Sequence, residues 1–251
     1  MTTQQTLKYL LVLDFEATCG EKGFPVHEQE IIEFPTLLYN IEERKIQATF
    51  AEYVRPVRQP TLTEFCTGLT GITQETVDKA DVFPQVWKRF NEFLTKHKAF
   101  EEPESFAFVT CGAWDLTTML PKQLKYEASV APATSPISIT LPSPFDRVIN
   151  IKKPFTALYK TSSDRGMAGM LSLVKLKLEG RHHSGIDDCR NISRIVGKML
   201  QDGWIPEIPA KSSTVPRGVR TAAKPPATKP KQTPAPPSPP MSLDAFPPLG
   251  S

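Results

Sequence analysis

The sequence of 251 residues is poor in cysteine and glycine and has no long apolar run. Its apolar runs are much shorter than the roughly 20 residues of a membrane-spanning helix, which argues against a membrane protein. The four cysteines are scattered and form no CxxC pair, which argues against a disulfide scaffold or a cysteine zinc site. No glycine-rich phosphate loop is present, so we expect no nucleotide cofactor. These absences favour a protein of the cytoplasm, the nucleus or both.

The formal net charge of +3 is divided unevenly along the chain. Six basic residues and one acidic residue follow residue 210, so the end of the chain carries +5 and the remainder −2. Eleven of the 25 prolines also lie there. A basic, proline-rich composition of this kind cannot bury a core. We therefore expect a folded domain over residues 1–208 and a disordered tail over residues 209–251.

The predicted tail is compatible with more than one role. Its charge suits nonspecific binding of RNA phosphates. Its last apolar stretch, Leu243–Leu249, suggests a docking motif for a protein partner. A solubilising linker is the alternative, and the sequence leaves these roles open.

Apolar patterning along the first 208 residues predicts alternating strands and helices. Runs of strand length are Tyr9–Leu13, Ile31–Leu38, Thr49–Val54 and Phe106–Val109. Helices are predicted from Phe83 onward, from Trp114 to about Leu124, and over Met170–Leu178 and Ile186–Leu200. The segment of residues 127–143 is rich in Pro, Ser, Ala and Thr and predicts a loop insertion. This order of elements predicts an α/β fold with a mixed sheet.

Two carboxylates follow the most apolar strand, at Asp14 and Glu16. Residues i and i+2 of a strand point to the same face, so both side chains are expected on one side of the sheet. Buried carboxylates are costly unless a positive group joins them, and hard divalent cations bind carboxylate oxygen. The alternative is a strand that has simply reached solvent.

Further candidates are Asp115, at a strand-to-helix junction, and the segment from His182 to Asp188. Both His182/Asp187 and His183/Asp188 fit an HxxxxD spacing, so helix periodicity must decide between them. Helical steps from Asp188 reach apolar residues, namely Ile192, Ile195, Val196 and Met199. The same steps from Asp187 reach polar residues, namely Asn191, Arg194 and Lys198. The inward pair is therefore predicted to be His183 and Asp188.

Four inward carboxylates and one histidine are the components of a two-metal hydrolase. Two cations can bind the attacking water and the leaving oxygen of a phosphoryl displacement. A histidine that titrates near neutrality is a suitable base for the proton of that water. The sequence thus predicts hydrolysis of a phosphate ester.

At these residues the sequence resembles the DEDDh exonucleases, the DnaQ-like branch of the ribonuclease H fold, and within them the Eri-type 3′–5′ exoribonucleases. The resemblance covers most of the folded part, from about Lys8 to Ile205. The matching segments are LDFEATC (13–19), EIIEFP (30–35), YVRP (53–56), LTGIT (69–73), CGAWD (111–115), GRHHSGIDDCRNI (180–192) and MLQDG (199–203). One departure is His182, which stands where this motif usually has proline.

The resemblance implies a ribonuclease H-like exonuclease fold, with a mixed five-stranded sheet flanked by helices. It implies two Mg²⁺ ions, for which Mn²⁺ is a possible substitute. Asp14, Glu16 and Asp188 would bind the first ion, with Asp14 bridging to a second ion held by Asp115. His183 would be the general base.

The implied substrate is RNA with a free 3′ end, single-stranded or overhanging, from which nucleoside 5′-monophosphates are released during small-RNA turnover or 3′-end processing. Glu16 and the backbone near Ala17 and Thr18 would contact the terminal sugar. Phe65 and Trp114 match positions on which the terminal base stacks, and core packing is the alternative for both. Two other functions stay open: a DNA-directed 3′–5′ exonuclease of the same fold, and a noncatalytic RNA-binding scaffold.

Overall fold

The computed structural model describes residues 7–208, apart from residue 135 and residues 162–164. The strands in these ranges are β1 (Tyr9–Leu13), β2 (Glu16–Ala17), β3 (Ile31–Asn40), β4 (Lys45–Tyr53), β5 (Phe106–Thr110) and β6 (Val148–Asn150). The α-helices are α1 (Glu64–Thr70), α2 (Gln74–Asp78), α3 (Phe83–Lys96), α4 (Leu120–Val130), α5 (Lys152–Tyr159), α6 (Met167–Leu173) and α7 (Gly185–Gln201). The predicted tail, with its disorder and its docking motif, lies outside the described residues.

The strands form one mixed sheet in the order β2-β3-β1-β5-β6, and β4 also pairs with β3. Strand β3 is antiparallel to β1, β2 and β4, whereas β1, β5 and β6 are parallel to one another. The predicted mixed sheet is therefore confirmed. The two-residue strand β2, counted separately, brings the strands in the described ranges to six.

Strand β2 continues the line of β1 along β3. Leu13 lies opposite Thr36 and Glu16 lies opposite Glu33, so the register is unchanged across the two intervening residues. The register shifts only after Glu16. Side chains therefore keep alternating between the two faces of the sheet up to Glu16.

Each face of the sheet is covered by helices over an apolar core. One core is built around β1 residues Leu11 and Leu13 with helices α3 and α4, and it contains a cluster of aromatic rings, among them Phe34, Phe50, Phe83, Phe90 and Phe108. The other core joins β1 residues Leu10 and Val12 to α5, α6 and α7. In α7 the buried apolar residues recur at helical spacing, as the sequence predicts: Ile192, Ile195, Val196 and Met199.

Helix α1 has well-defined ends. The Thr63 hydroxyl accepts a hydrogen bond from the Cys66 amide at 3.0 Å, which is the expected role of an N-cap threonine. Gly71 follows the helix with φ of 77°, a left-handed conformation that glycine adopts without strain. These ends set the direction in which α1 presents its exposed side chains.

The segment of residues 127–143 differs from the predicted loop insertion only in its first four residues. Helix α4 extends to Val130, and Glu127 is buried, with its carboxylate accepting a hydrogen bond from Gln123 at 2.8 Å. Ile137 and Leu141 pack against the core that contains Phe145. The first part of the segment is therefore helical, whereas its described remainder has no helix or strand and is mostly exposed.

Helix α6 also differs, since it spans Met167–Leu173 rather than the predicted Met170–Leu178. Lys175 has φ of 58°, so the backbone leaves the helical conformation there. Among the described residues, no helix combines the length and apolar character needed to cross a membrane.

Candidate active site

The strand alternation that buries Leu10 and Val12 against α7 carries Asp14 and Glu16 to the same face of the sheet. Glu16 is buried, and Asp14 is partly buried. The predicted placement of the two carboxylates on one side is confirmed. Because α7 covers this face, its first turn lies beside them.

The first turn of α7 is fixed to the sheet by Glu33 of β3. The Glu33 carboxylate accepts hydrogen bonds from the Gly185 amide at 2.8 Å and the Ile186 amide at 3.1 Å. Gly185 itself packs so closely that an added Cβ would lie 2.7 Å from the Asp14 carbonyl oxygen. Only glycine fits at position 185 without a shift of the backbone. The close contact places the start of α7 against the end of β1.

Asp188 lies in that first turn and is 4% exposed. Its Oδ2 accepts a hydrogen bond from the His183 amide at 3.0 Å. Its Oδ1 is buried and has no hydrogen-bond partner among the described residues. Asp187 instead accepts hydrogen bonds from the Arg181 amide and the Arg190 guanidinium, so its carboxylate already has partners. The predicted choice of Asp188 as the inward residue is confirmed.

Asp115 approaches from the next strand. It follows β5 and begins a short π-helical turn, Asp115–Met119, that continues into α4. Asp115 Oδ1 accepts a hydrogen bond from the Phe15 amide at 2.9 Å, and the side chain is buried. This bond joins Asp115 to the backbone between Asp14 and Glu16.

The carboxylates are crowded. One oxygen from each of Asp14, Glu16 and Asp188 lies within 4.8 Å of the others. Burial, followed by the charges of Asp115, Asp188 and Glu16, raises the pKa of Asp14 well above its usual range. Burial and the charge of Glu33 raise the pKa of Glu16 to about 9.

Burial also raises the pKa of Asp115 and the pKa of Asp188, each to about 6, although a backbone N–H bond to each carboxylate opposes the rise. Such a cluster of carboxylates is unfavourable when its members are ionised without a cation nearby, and a bound cation makes the ionised form favourable. The unpartnered Asp188 Oδ1 provides a lone pair for one. The residues present therefore fit divalent cations with oxygen ligands.

His183 lies at the edge of this cluster in a left-handed conformation, with φ of 63°. Its ring is stacked on the ring of His182, with centroids 4.0 Å apart. Burial, followed by the charges of His182 and Arg181, lowers the pKa of His183. A neutral imidazole is the form that accepts a proton. Both histidines line a cleft of about 350 Å³ with Asp14 and Asp188.

The four predicted substrate-binding residues divide into two groups. Phe65 and Trp114 are 45% and 39% exposed, so the alternative that they pack in the core is wrong. Ala17 and Thr18 are buried, and the Thr18 hydroxyl accepts a hydrogen bond from the Glu30 amide. Contact of any of the four with a substrate stays a prediction.

Glu33 is the residue that the sequence reasoning missed. It occupies a strand in which all ten residues are buried, and it is 4% exposed. An acid within an apolar strand requires a partner. This signal was present in EIIEFP, but the partner amides lie about 150 positions away in the sequence.

Known proteins resemble this chain in sequence. The family model described as Exonuclease (RNase_T) matches residues 11–196. The human ERI1 exoribonuclease 3 is 40% identical over 201 residues, which cover 80% of this chain and 56% of the relative. The 3′-5′ exonuclease eri1 of Schizosaccharomyces pombe is 36% identical over 235 residues, which cover 80% of this chain and 76% of the relative. The chain spans about half the length of the mammalian relatives that it matches.

Solved structures are also similar. The nuclease domain of 3′hExo, a DEDDh family member bound to rAMP, superposes with a TM-score of 0.71 at 37% identity and covers 81% of this chain and 97% of that domain. A 3′-exonuclease recognising a histone mRNA stem-loop superposes with a TM-score of 0.70 at 35% identity, covering 81% of this chain and 86% of that one. The fold and the acidic cluster thus define a DEDDh nuclease domain. The chain belongs to the RNase_T exonuclease family, in its group of Eri-type 3′–5′ exoribonucleases.

Proposed function

We propose that this protein is a metal-dependent 3′–5′ exoribonuclease. It hydrolyses phosphodiester bonds at the 3′ end of single-stranded or overhanging RNA and releases nucleoside 5′-monophosphates. The observation that carries the proposal is the convergence of Asp14, Glu16, Asp115 and Asp188 at the end of β1, beside His183, in a chain of this family.

The proposed metals are two Mg²⁺ ions, for which Mn²⁺ can substitute. Asp14, Glu16 and Asp188 would hold one ion, and Asp115 with Asp14 the other. Carboxylate oxygens are the ligands that Mg²⁺ and Mn²⁺ prefer. When bound, two such ions would supply positive charge to the attacking and leaving oxygens of an in-line phosphoryl displacement.

The protein's own groups account for positioning and proton transfer. His183 accepts a proton from the attacking water, whose oxygen forms the new bond to phosphorus. The bond from phosphorus to the 3′ oxygen of the preceding nucleotide breaks, and that oxygen takes a proton from solvent. The products are a shortened RNA with a 3′ hydroxyl and a nucleoside 5′-monophosphate. The Asp188 carboxylate orients His183 through the bond to its amide.

The exposed rings of Phe65 and Trp114 are proposed to stack on bases near the 3′ end. Stacking accepts any base, which suits an enzyme that removes successive nucleotides. The RNA preference is supported by relatives named as exoribonucleases and by the neighbours bound to rAMP and to an mRNA stem-loop. We place the activity in small-RNA turnover or RNA 3′-end processing, in the cytoplasm, the nucleus or both.

The test uses the purified full chain with Mg²⁺ on RNA labelled at the 5′ end or at the 3′ end, with the products identified by chromatography. A ladder of 5′-labelled fragments shortened from the 3′ end, with nucleoside 5′-monophosphates released, is expected. Asp188→Asn should abolish shortening, whereas the matched neighbour Asp187→Asn should retain activity within a few-fold. Preferred cleavage of a matched DNA would reassign the substrate. RNA binding without cleavage would indicate a noncatalytic scaffold.

A further inference from the structure

Next to the carboxylates lies a group of side chains with different ligand chemistry. His182 is exposed and takes no part in the proposed hydrolysis, yet its ring stacks on that of His183 at an interplanar angle of 23°. Two adjacent imidazoles therefore face the same cleft. Imidazole is a ligand for zinc and other transition metals, and it is a poor ligand for Mg²⁺.

Asp188 adds a third ligand to the two imidazoles. A nitrogen of His182, a nitrogen of His183 and a carboxylate oxygen of Asp188 all lie within 4.8 Å of one another. The buried Asp188 Oδ1 has no hydrogen-bond partner among the described residues, so a lone pair is unused. This atom is an observation independent of the histidine pair.

The separation of the three ligand atoms can be compared with that in a zinc site. Bonds of about 2.0–2.2 Å in a tetrahedron place ligand atoms roughly 3.3–3.6 Å apart. Since the three atoms lie within 4.8 Å of one another, they need to approach by at most about 1.5 Å. The side chain of His182 is exposed and has the freedom to rotate. A set of two histidines and one aspartate leaves a fourth position for water, which the cleft of about 350 Å³ admits.

We propose that His182, His183 and Asp188 form a zinc site that inhibits the enzyme. The inhibitory consequence rests on the proposed function, because the site takes Asp188 from the Mg²⁺ ligands and occupies the His183 lone pair that accepts the water proton. Zinc binding and hydrolysis therefore exclude each other. Since zinc prefers imidazole over oxygen ligands, low zinc concentrations suffice even when Mg²⁺ is abundant.

The site itself is tested by binding without Mg²⁺ and without RNA. Co²⁺ serves as a spectroscopic probe, and a chromophoric chelator competes for Zn²⁺ with the full chain. One tetrahedral equivalent is expected, with the strong visible absorption of nitrogen and oxygen coordination, whereas Co²⁺ bound six-coordinate by carboxylates alone absorbs only weakly. His182→Ala should weaken Zn²⁺ binding at least tenfold, and the matched control His27→Ala, at an exposed histidine elsewhere, should not change it. Equal affinities for the wild type and His182→Ala would overturn the proposal.

Cys111 lines the same cleft and provides a second way to refute the site. A thiolate-to-cobalt charge-transfer band, lost in Cys111→Ser, would assign the metal to that cysteine and overturn the histidine site. The absence of this band is the expected result.

The inhibitory role is tested on RNA cleavage at saturating Mg²⁺ with increasing Zn²⁺. Each protein's cleavage rate is normalised to its own rate without zinc, and His182→Ala should require at least ten times more zinc than the wild type for half inhibition. Unchanged zinc sensitivity would overturn the inhibitory role. If the wild type shows no cleavage with Mg²⁺, the proposed function fails, whereas the Co²⁺ spectrum still decides the zinc site.

Discussion

Replacement of Glu33 by alanine tests whether this residue positions the candidate active site or only stabilises the fold. The Glu33 carboxylate accepts the two amide bonds of Gly185 and Ile186, at 2.8 and 3.1 Å. Alanine leaves the buried Gly185 amide and the partly buried Ile186 amide without this acceptor, at about 1–3 kcal/mol each. Burial of the Glu33 carboxylate is itself unfavourable and raises its pKa. Removal of this carboxylate therefore offsets part of the lost stability. We therefore expect Glu33→Ala to lower the free energy of unfolding by about 2–4 kcal/mol.

Activity should fall as well, because the freed first turn carries Asp188. We expect kcat for RNA cleavage to drop at least tenfold under conditions where the variant is still folded, with a smaller change in KM, since Phe65 and Trp114 are not attached to α7. Urea denaturation measures the stability and single-turnover cleavage measures the rate. Glu33→Gln preserves the shape and one acceptor, so it should recover part of both losses.

Glu30→Ala is the matched control. Glu30 is also buried on the approach to β3, and its carboxylate accepts three backbone amides, those of Val57, Arg58 and Gln59. Its loss should destabilise the fold comparably but leave kcat of the folded protein within a few-fold. If Glu33→Ala and Glu30→Ala lower stability equally and both leave kcat unchanged, Glu33 does not position the site. An unchanged urea midpoint for Glu33→Ala would refute the hydrogen-bond argument itself.

Three further predictions concern the metal and the substrate. Glu16 and Asp188 bind protons more tightly in the folded state, with pKa values of about 9 and about 6, than in the unfolded chain, where they lie near 4. The metal-free protein should therefore lose stability as the pH rises from about 4 to about 9, as urea titrations with a chelator can show, and a flat profile would contradict these shifts. Mg²⁺ or Mn²⁺ at about 100 times its dissociation constant should add about 2.7 kcal/mol of stability in the wild type and much less in Asp14→Asn, measured by thermal unfolding. Phe65→Ala and Trp114→Ala should raise KM by the equivalent of about 1–3 kcal/mol while leaving the urea midpoint unchanged, because both rings are exposed.

The direction of the clustered carboxylates was predictable because local periodicity determines it. Asp14 and Glu16 share a face since β2 keeps the register of β1 against β3. Asp188 faces inward since the apolar residues of α7 follow it at helical spacing. Both inferences need only the geometry of one element, which a short stretch of sequence contains.

Features that depend on distant partners were not predictable in this way. Glu127 lies in α4 and is buried, and Gln123, which donates a hydrogen bond to it, also accepts the Ile31 amide through its side-chain oxygen. The composition of residues 127–143 does not indicate the hydrogen bond between Ile31 of β3 and Gln123. The exposure of Phe65 was not predictable either, because the sequence of α1 does not show whether a ring lies in the core or at the surface.

The charge count of the sequence also changes meaning once the site is assembled. A domain with a formal charge of −2 is counted as anionic, but Glu16 holds a proton at neutral pH when no cation is bound, since its pKa is raised to about 9. Divalent cations must displace this proton, so their binding strengthens as the pH rises. The same group therefore produces opposite trends. A higher pH lowers the free energy of unfolding of the metal-free protein and strengthens metal binding. The stabilities of the metal-free and the metal-bound protein therefore differ most in the alkaline range. Hydrolysis should also be fastest in that range.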